Sequence, residues 1–164
     1  IHLGGKSTSY NKGKILARKL IKDGSALKKF SEVIKYQGGN PSFIKNYKIL
    51  PTAKYQHIVR SQSSGWISKV DNKNIGLSCI TIGGGRKVKT DPIDYCVGYY
   101  FHKKVGDKVA KNTPLLTIHH NEKNNEKIKE LEQKFLKEIF VFSKNKPKNK
   151  EKLISMEKSY WSKP

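Results

Sequence analysis

The chain has 164 residues, a formal net charge of +21 at pH 7 and 35% hydrophobic residues. This length suits one domain, or one domain and part of another, with a real core. Its apolar runs are shorter than the stretch of about 20 residues that spans a bilayer, and its start lacks the regions of a signal peptide. We therefore expect a cytoplasmic protein without a membrane partner.

The basic residues are almost all lysine. Of 34 basic residues, only Arg18, Arg60 and Arg86 are arginine, although arginine is the preferred side chain for reading bases and phosphates. The lysines are spread along the whole chain among many asparagines. This composition predicts non-specific binding to polyanions at most. A non-catalytic basic module that binds polyanions or nucleic acid stays open as an alternative function.

Two amphipathic helices are predicted in the first 40 residues. Ser7–Ser9 offers hydroxyl N-caps for the first helix, and Gly24 ends it. The second helix is predicted from about Ser25 to Gln37, with Gly38-Gly39 as its stop. The apolar faces consist of Ile15, Leu16, Leu20, Leu27, Phe30, Val33 and Ile34. Two short helices cannot bury these faces alone, so we expect them to need a partner.

A β-rich region is predicted to begin near Ala53. Its short runs of mostly β-branched or aromatic residues are bounded by Gly, Asp, Asn or Pro, which is typical of strands joined by turns. The predicted strands are Tyr55–Arg60, Gly65–Val70, Ile75–Ile82, Tyr95–Phe101 and Pro114–Ile118. Val105–Val109 is predicted to form a tight hairpin reversal, with solvated lysines around it.

The chain is predicted to return to helix over Asn121–Ser143. An apolar stripe runs along this segment, with Lys and Glu elsewhere. The stripe consists of Ile128, Leu131, Phe135, Ile139 and Phe142. The stretch KNKPKNKEK from Lys144 is charged and broken by proline, so it is predicted to be mobile. Leu153–Pro164 completes the charged tail of residues 144–164, and its Tyr160 and Trp161 leave packing of this end open.

Several segments, taken in order, resemble the pyrimidine-nucleoside phosphorylases, the thymidine phosphorylase family. The segments similar to that family's C-terminal domain are Gly83–Arg86, Asp91–Asp94, Val97-Gly98 and Lys103–Val109. Further similar segments lie upstream at Leu3–Lys6, Asp23–Phe30, Gln37–Pro41 and Leu50–Lys54. One such motif would be weak, but the series is specific and covers roughly Ile1 to Asn121. Because the first residue is not Met, we expect a fragment of a longer chain.

The resemblance implies an α+β fold. Its β domain would be hammerhead-like and related to barrel-sandwich folds, with a helical segment before it and a C-terminal helix after it. Residues 1–52 would be the end of the family's larger α/β domain. Residues 53–143 would be the C-terminal domain, and residues 144–164 the charged tail.

The resemblance also implies an activity for the intact protein. The family catalyses reversible phosphorolysis, in which a pyrimidine nucleoside and phosphate give the free base and (deoxy)ribose 1-phosphate. The expected partners are therefore a pyrimidine nucleoside, phosphate as co-substrate and a second copy of the enzyme in a homodimer. This domain would support the fold and the closure of the substrate cleft.

The family's main catalytic residues are absent from these 164 residues. Its phosphate loop is of the Lys-Thr-Gly-Gly type, which Lys6-Ser7-Thr8 does not match, and its Arg, Ser and Lys for the base are also missing. We therefore expect no catalytic residue and no activity in this chain alone. The family's monovalent cation is expected to bind upstream, so we predict no metal ligand and no cofactor here.

One local candidate site is the turn formed by Gly83, Gly84, Gly85 and Arg86. Glycines allow positive φ and close approach of the backbone to a ligand. In the functional interpretation, this loop closes over the nucleoside and Arg86 reaches the anionic substrate. In the alternative interpretation, the segment is a sharp turn after a strand and Arg86 is solvated.

The remaining polar residues are expected to be structural. Cys79 and Cys96 are placed in strands as buried, reduced thiols. Asp91 and Asp94 suit turn-forming roles better than an acid/base pair. Ordinary surface or half-buried positions are expected for the histidines of the β region, which are His57, His102, His119 and His120.

A rival resemblance concerns residues 105–118. They are also similar to one half of a biotinyl or lipoyl carrier domain, in which Gly-Asp-x-Val and Pro-Leu build the same hairpin. A carrier needs an exposed lysine at a tight turn, whereas His119-His120-Asn121 follow Ile118 here. We therefore expect a related architecture without a carrier lysine.

Overall fold

The computed structural model describes residues 1–148. The chain divides into two units, Ile1–Pro51 and Thr52–Pro164. Residues 149–164 of the predicted tail lie outside the described residues. Taken together, the units contain both α-helices and β-strands, so the mixed α and β class is confirmed.

The first unit is helical. Helix α1 spans Tyr10–Lys22, and its N-cap Ser9 accepts a hydrogen bond from the Lys12 N–H. Helix α2 spans Ser25–Tyr36 and follows Gly24, whose φ of 78° suits glycine. Both predicted helices are thus confirmed. All buried hydrophobic side chains of the described chain lie after residue 51, so the two helices have no core of their own.

The second unit contains two antiparallel sheets. In the first, β5 (Pro114–His120) lies between β1 (Tyr55–Arg60) and β3 (Gly98–Phe101). In the second, β2 (Gly65–Val70) lies between β4 (Lys108–Val109) and β6 (Phe140–Ser143). Within the described residues the strands do not close into a barrel.

Two helices complete this unit. Helix α3 spans Asn72–Thr81, helix α4 spans Asn125–Lys134, and a π-helical turn at Phe135–Ile139 leads from α4 into β6. One core joins the sheets, both helices and the π turn. It consists of Val59, Ile67, Ile82, Val109, Leu115, Leu116, Ile118, Ile128, Leu131, Phe135, Ile139 and Phe140. None of the helices in the described part is long and apolar enough to cross a membrane.

The predicted strand at Ile75–Ile82 is wrong, because this segment forms α3. Asp71 caps the helix, since its Oδ1 accepts the Asn74 N–H at 3.0 Å. Ile75, Cys79 and Ile82 face the core at spacings of four and three residues, which is a helical pattern. The glycine-rich turn therefore follows a helix and not a strand.

The predicted helix over Asn121–Ser143 is too long. It ends with the π turn, and Phe140–Ser143 becomes β6, where Phe142 lies opposite Ile67. Two aromatic residues flanking Val141 suit a strand. Pairing with β2 also satisfies the backbone groups at the edge of that strand.

The tight turn predicted at Val105–Val109 is present, since the Asp107 N–H donates to the Lys104 carbonyl at 3.1 Å, but the turn does not close a hairpin. The strands on its two sides belong to different sheets, since β3 pairs with β5 and β4 pairs with β2. The strand predicted at Tyr95–Phe101 begins only at Gly98. In the described chain, the tight turn of a carrier domain after residue 118 is absent, because β5 continues to His120.

Candidate functional site

The glycine-rich turn is the C-cap of α3. The Gly84 N–H donates to the Cys79 carbonyl at 2.9 Å, and the Gly83 N–H donates to the Ile80 carbonyl at 3.1 Å. These two bonds, with Gly83 at φ 90°, form a Schellman motif. Gly83 is the residue of this turn with a positive φ, so it is the one that needs conformational freedom.

The other two glycines are constrained by contact. A Cβ at Gly84 would lie 2.5 Å from the Cys79 Sγ and 3.2 Å from a methyl group of Val97. A Cβ at Gly85 would lie 2.9 Å from the Ile80 Cγ1. Gly84 and Gly85 therefore allow the chain to pass directly over α3 as it leaves the helix.

Arg86 follows this cap as an exposed side chain. Among the described residues, no hydrogen bond or ion pair involves its guanidinium group. The three residues that follow it, Lys87, Val88 and Lys89, are exposed as well. Within the described residues, Arg86 therefore has no structural contact through its charged group and is accessible to a ligand.

The two aspartates after the turn hold the loop together. Asp91 accepts the N–H groups of Lys87 and Val88 at 2.9 and 3.1 Å. Asp94 accepts the Cys96 N–H at 2.9 Å and the Asn121 side chain at 2.6 Å. These hydrogen bonds lower the pKa of Asp94, that from the Cys96 backbone most, so it remains a carboxylate. The prediction of turn-forming roles is confirmed.

Neither cysteine lies in a strand, which corrects the sequence-based placement. Cys79 lies in α3 and Cys96 in the loop before β3, and both are free, half-buried thiols. Burial raises the pKa of Cys79, and the Asp94 carboxylate that contacts Cys96 raises the pKa of that thiol. A nucleophilic cysteine needs a lowered pKa, so both side chains suit structural roles.

Three of the four histidines of this unit have side-chain hydrogen-bond partners among the described residues. His57 Nε2 lies 2.8 Å from a carboxylate oxygen of Glu132, and His102 Nε2 lies 2.8 Å from the Thr117 hydroxyl. The predicted surface or half-buried position is wrong for His120, which is buried, with its Nδ1 3.1 Å from the Glu122 carbonyl. No sequence motif indicated the pairing of His57 with Glu132, because 75 positions separate them. The described residues contain no group of three or more His, Cys, Asp or Glu that could hold a metal ion.

Comparison with known proteins identifies the second unit. Residues 66–139 match the family model described as the pyrimidine nucleoside phosphorylase C-terminal domain. The chain carries a pyrimidine nucleoside phosphorylase C-terminal domain. The matched range of this phosphorylase domain includes α3, its glycine cap and the loop held by Asp91 and Asp94.

Similarity to curated relatives extends over most of the chain. A pyrimidine-nucleoside phosphorylase of Staphylococcus haemolyticus (strain JCSC1435) is 39% identical over 132 residues, which cover 80% of this chain and 30% of the relative. A protein of the same name from Bacillus subtilis (strain 168) is 37% identical over 122 residues, which cover 74% of this chain and 28% of the relative. The resemblance to the C-terminal part of this enzyme is confirmed. The chain spans about three-tenths of the length of these relatives.

A buried hydrogen bond between side chains connects helix α3 of the phosphorylase domain to β3. The Tyr99 hydroxyl lies 3.0 Å from the Ser78 Oγ, which itself donates to the Ile75 carbonyl at 2.7 Å. Since the Ser78 proton is used in that second bond, the Tyr99 hydroxyl is the donor to Ser78. The Tyr99 ring also packs edge-on against the Phe135 ring, with 4.9 Å between the ring centroids. This contact fixes the helix whose C-cap is the glycine turn.

Replacing Tyr99 with Phe is expected to lower the free energy of unfolding by about 1 kcal/mol, because one buried hydrogen bond is lost while the ring contacts remain. Urea unfolding of both proteins measures this difference. Tyr100→Phe is the matched control, since Tyr100 is 62% exposed. Equal effects of the two substitutions would contradict a role for the Ser78 contact.

The same hydroxyl predicts a loss of stability at alkaline pH. Burial raises the pKa of Tyr99 above its ordinary value. The unfolded chain therefore loses this proton at lower pH than the folded chain, and stability falls as the pH rises above about 10. The Phe variant should lack this part of the alkaline decline in an unfolding series against pH.

Proposed function

We propose that this chain is the C-terminal part of an enzyme that catalyses reversible phosphorolysis of pyrimidine nucleosides. In that reaction the nucleoside and phosphate give the free base and (deoxy)ribose 1-phosphate. The observation that carries the proposal is the similarity to proteins named pyrimidine-nucleoside phosphorylase at 37% to 39% identity over most of this chain. The enzyme would be a cytoplasmic homodimer, with phosphate and any monovalent cation bound by the remaining part.

The phosphorylase domain would support the fold and the closing of the substrate cleft, in a hammerhead-like arrangement. The capped end of α3 supports this role, because its loop is tied down by Asp91 and Asp94 while Arg86 stays exposed. A loop held in place by such hydrogen bonds, with an exposed cation near its start, is suited to contacting an anionic substrate when a cleft closes.

The helices of the first unit support a larger protein. Leu27 and Phe30 on α2 are 53% and 51% exposed, and Ile21 on α1 is 73% exposed. Fully burying a side chain of this kind contributes about 1.5–3 kcal/mol. We infer that Ile1–Pro51 is the end of the larger α/β domain, and that its apolar faces pack against the remainder of that domain.

A chimeric enzyme tests the proposal. In the Bacillus subtilis relative, the segment that aligns with this chain is replaced by residues 1–164. The chimera is expected to cleave uridine or thymidine with phosphate at a rate within about tenfold of the relative, because the catalytic groups of the relative are retained. The relative truncated before that segment is the control, and we expect it to be inactive.

Two measurements make the chimera decisive. Its melting temperature and its size in solution establish that it is folded and assembled like the relative. A folded chimera whose turnover does not exceed that of the truncated relative would show that the proposed function is wrong.

A further inference from the structure

A cleft of about 630 Å³ opens in the second unit, between the start of β1, the end of β5 and the first turns of α4. We call it the His120 cleft, and its walls include Tyr55, Gln56, His120, Lys123 and Lys129. Its size lies within the range of about 300–1,000 Å³ that is usual for small-molecule sites. The register of the first sheet creates it, because Tyr55 lies directly opposite His120 in the pairing of β1 with β5.

His120 presents a hydrogen-bond acceptor to this cleft. The side chain is only 5% exposed, and its Nδ1 lies 3.1 Å from the Glu122 carbonyl oxygen. Because a carbonyl oxygen only accepts, Nδ1 carries the proton in the neutral ring and Nε2 keeps its lone pair. No described residue forms a hydrogen bond with Nε2. In the described part, every fully buried side-chain N or O atom has a hydrogen-bond partner. Nε2 is therefore not fully buried, and because His120 lines the cleft, a ligand donor in the cleft can bond to it.

The cleft also offers an aromatic surface. The ring of Tyr55 lies 5.6 Å from the His120 ring at an interplanar angle of 32°. Tyr55 is 44% exposed, so part of its surface remains free to contact a planar group. The amide of the exposed neighbour Gln56 can both donate and accept hydrogen bonds at the edge of such a group.

The unpaired charge at the cleft is positive. Glu122 is paired with Lys127, and His57, which also lines the cleft, is bonded to Glu132. Lys123 and Lys129 are exposed and form no ion pair within residues 1–148. Two free ammonium groups beside an aromatic surface suit a ligand that carries both a flat ring and a phosphate.

We propose that the His120 cleft binds a nucleoside monophosphate. The base stacks on Tyr55 and donates an N–H to the His120 Nε2, while the Gln56 amide bonds to its edge. The phosphate lies between Lys123 and Lys129. This inference goes beyond phosphorolysis and does not depend on it.

Calorimetric titration of the 164-residue chain with uridine 5′-monophosphate tests the proposal. Ionic strength is held at about 0.15 M, so that non-specific attraction to the basic chain is screened. Saturable binding with a Kd below about 1 mM is expected. Uridine alone and inorganic phosphate alone should each bind at least about tenfold more weakly, because each makes only part of the contacts.

Matched lysine variants locate the phosphate. Lys129→Gln is expected to weaken binding of uridine 5′-monophosphate about fivefold, since one charged contact is lost. Lys137→Gln is the control, because Lys137 is also exposed and lies outside the cleft. It should leave the Kd within about twofold of the unchanged chain. Tyr55→Leu should weaken binding about tenfold through the loss of stacking.

Several outcomes would overturn the proposal. Equal effects of Lys129→Gln and Lys137→Gln, or phosphate binding as tightly as the nucleotide, would mean that the chain attracts anions by charge alone. The imidazole signals of His120 in an NMR titration provide a second readout that needs no variant. Saturation with uridine 5′-monophosphate should shift them, and unchanged signals would also overturn the assignment.

Discussion

The 164-residue chain alone is expected to show no phosphorolysis of uridine or thymidine. By the resemblance, the phosphate loop and the residues that bind the base are expected outside these residues, so the chain alone should lack both substrate binding and stabilisation of the departing base. With those two contributions removed together, nothing remains to lower the barrier. The measurement is release of free base over several hours at high protein concentration, against a control without protein.

The active chimera described above is the positive control in the same assay. A trace of host phosphorylase would mimic activity, so any signal must survive a second, independent purification of the chain. Turnover that persists at a constant specific activity would contradict the prediction and place catalytic groups within these residues.

Local signals were sufficient for those elements whose caps and apolar spacing agree. The hydroxyls before Tyr10 and the glycine at position 24 mark the ends of α1, and the structure has a helix between them. Strands β1 and β2 have the predicted bounds, because turn residues enclose each run. In these segments, propensity, capping and pattern all favour one structure.

Residue type was misleading for α3. Its β-branched isoleucines suggested a strand, but the spacing of Ile75, Cys79 and Ile82 and the cap at Asp71 determine a helix. Strand β6 could not be predicted for another reason. Phe142 continues the helical stripe of α4 in the sequence, and its strand conformation depends on pairing with β2, which no local pattern contains.

The candidate sites also combine features that the local sequence predicts with features that only the tertiary structure determines. A glycine-rich turn was evident from the sequence, but only the structure separates Gly83, which needs its positive φ, from Gly84, which needs its small volume. No sequence pattern indicated the His120 cleft. Its residues come from the start of β1 and from the end of β5 onward, and they meet only through the antiparallel register of those strands.

The structural needs of Gly83 and Gly84 determine how the function of the loop Gly83–Arg86 can be tested. Substituting Gly83 with Ala would strain a left-handed position by about 1–2 kcal/mol, whatever the loop does in the enzyme. Substituting Gly84 would force its new side chain against Cys79 and cost about 1–3 kcal/mol. Both changes lower stability under either interpretation of the loop. Arg86 is the informative residue, because its exposed side chain bonds to no described residue.

Arg86→Ala in the chimeric enzyme is expected to lower kcat/KM by about tenfold to a hundredfold. A hydrogen bond to a charged group contributes about 1.5–3 kcal/mol, and here it would form only with the anionic substrate in the closed enzyme. The melting temperature should stay within about 1 °C, since loss of an exposed side chain changes stability little. Lys89→Ala is the matched control, an exposed cation on the same loop that should leave both quantities unchanged. If Arg86→Ala keeps the kcat/KM of the unchanged chimera, Gly83–Arg86 is a helix C-cap without a role in closure.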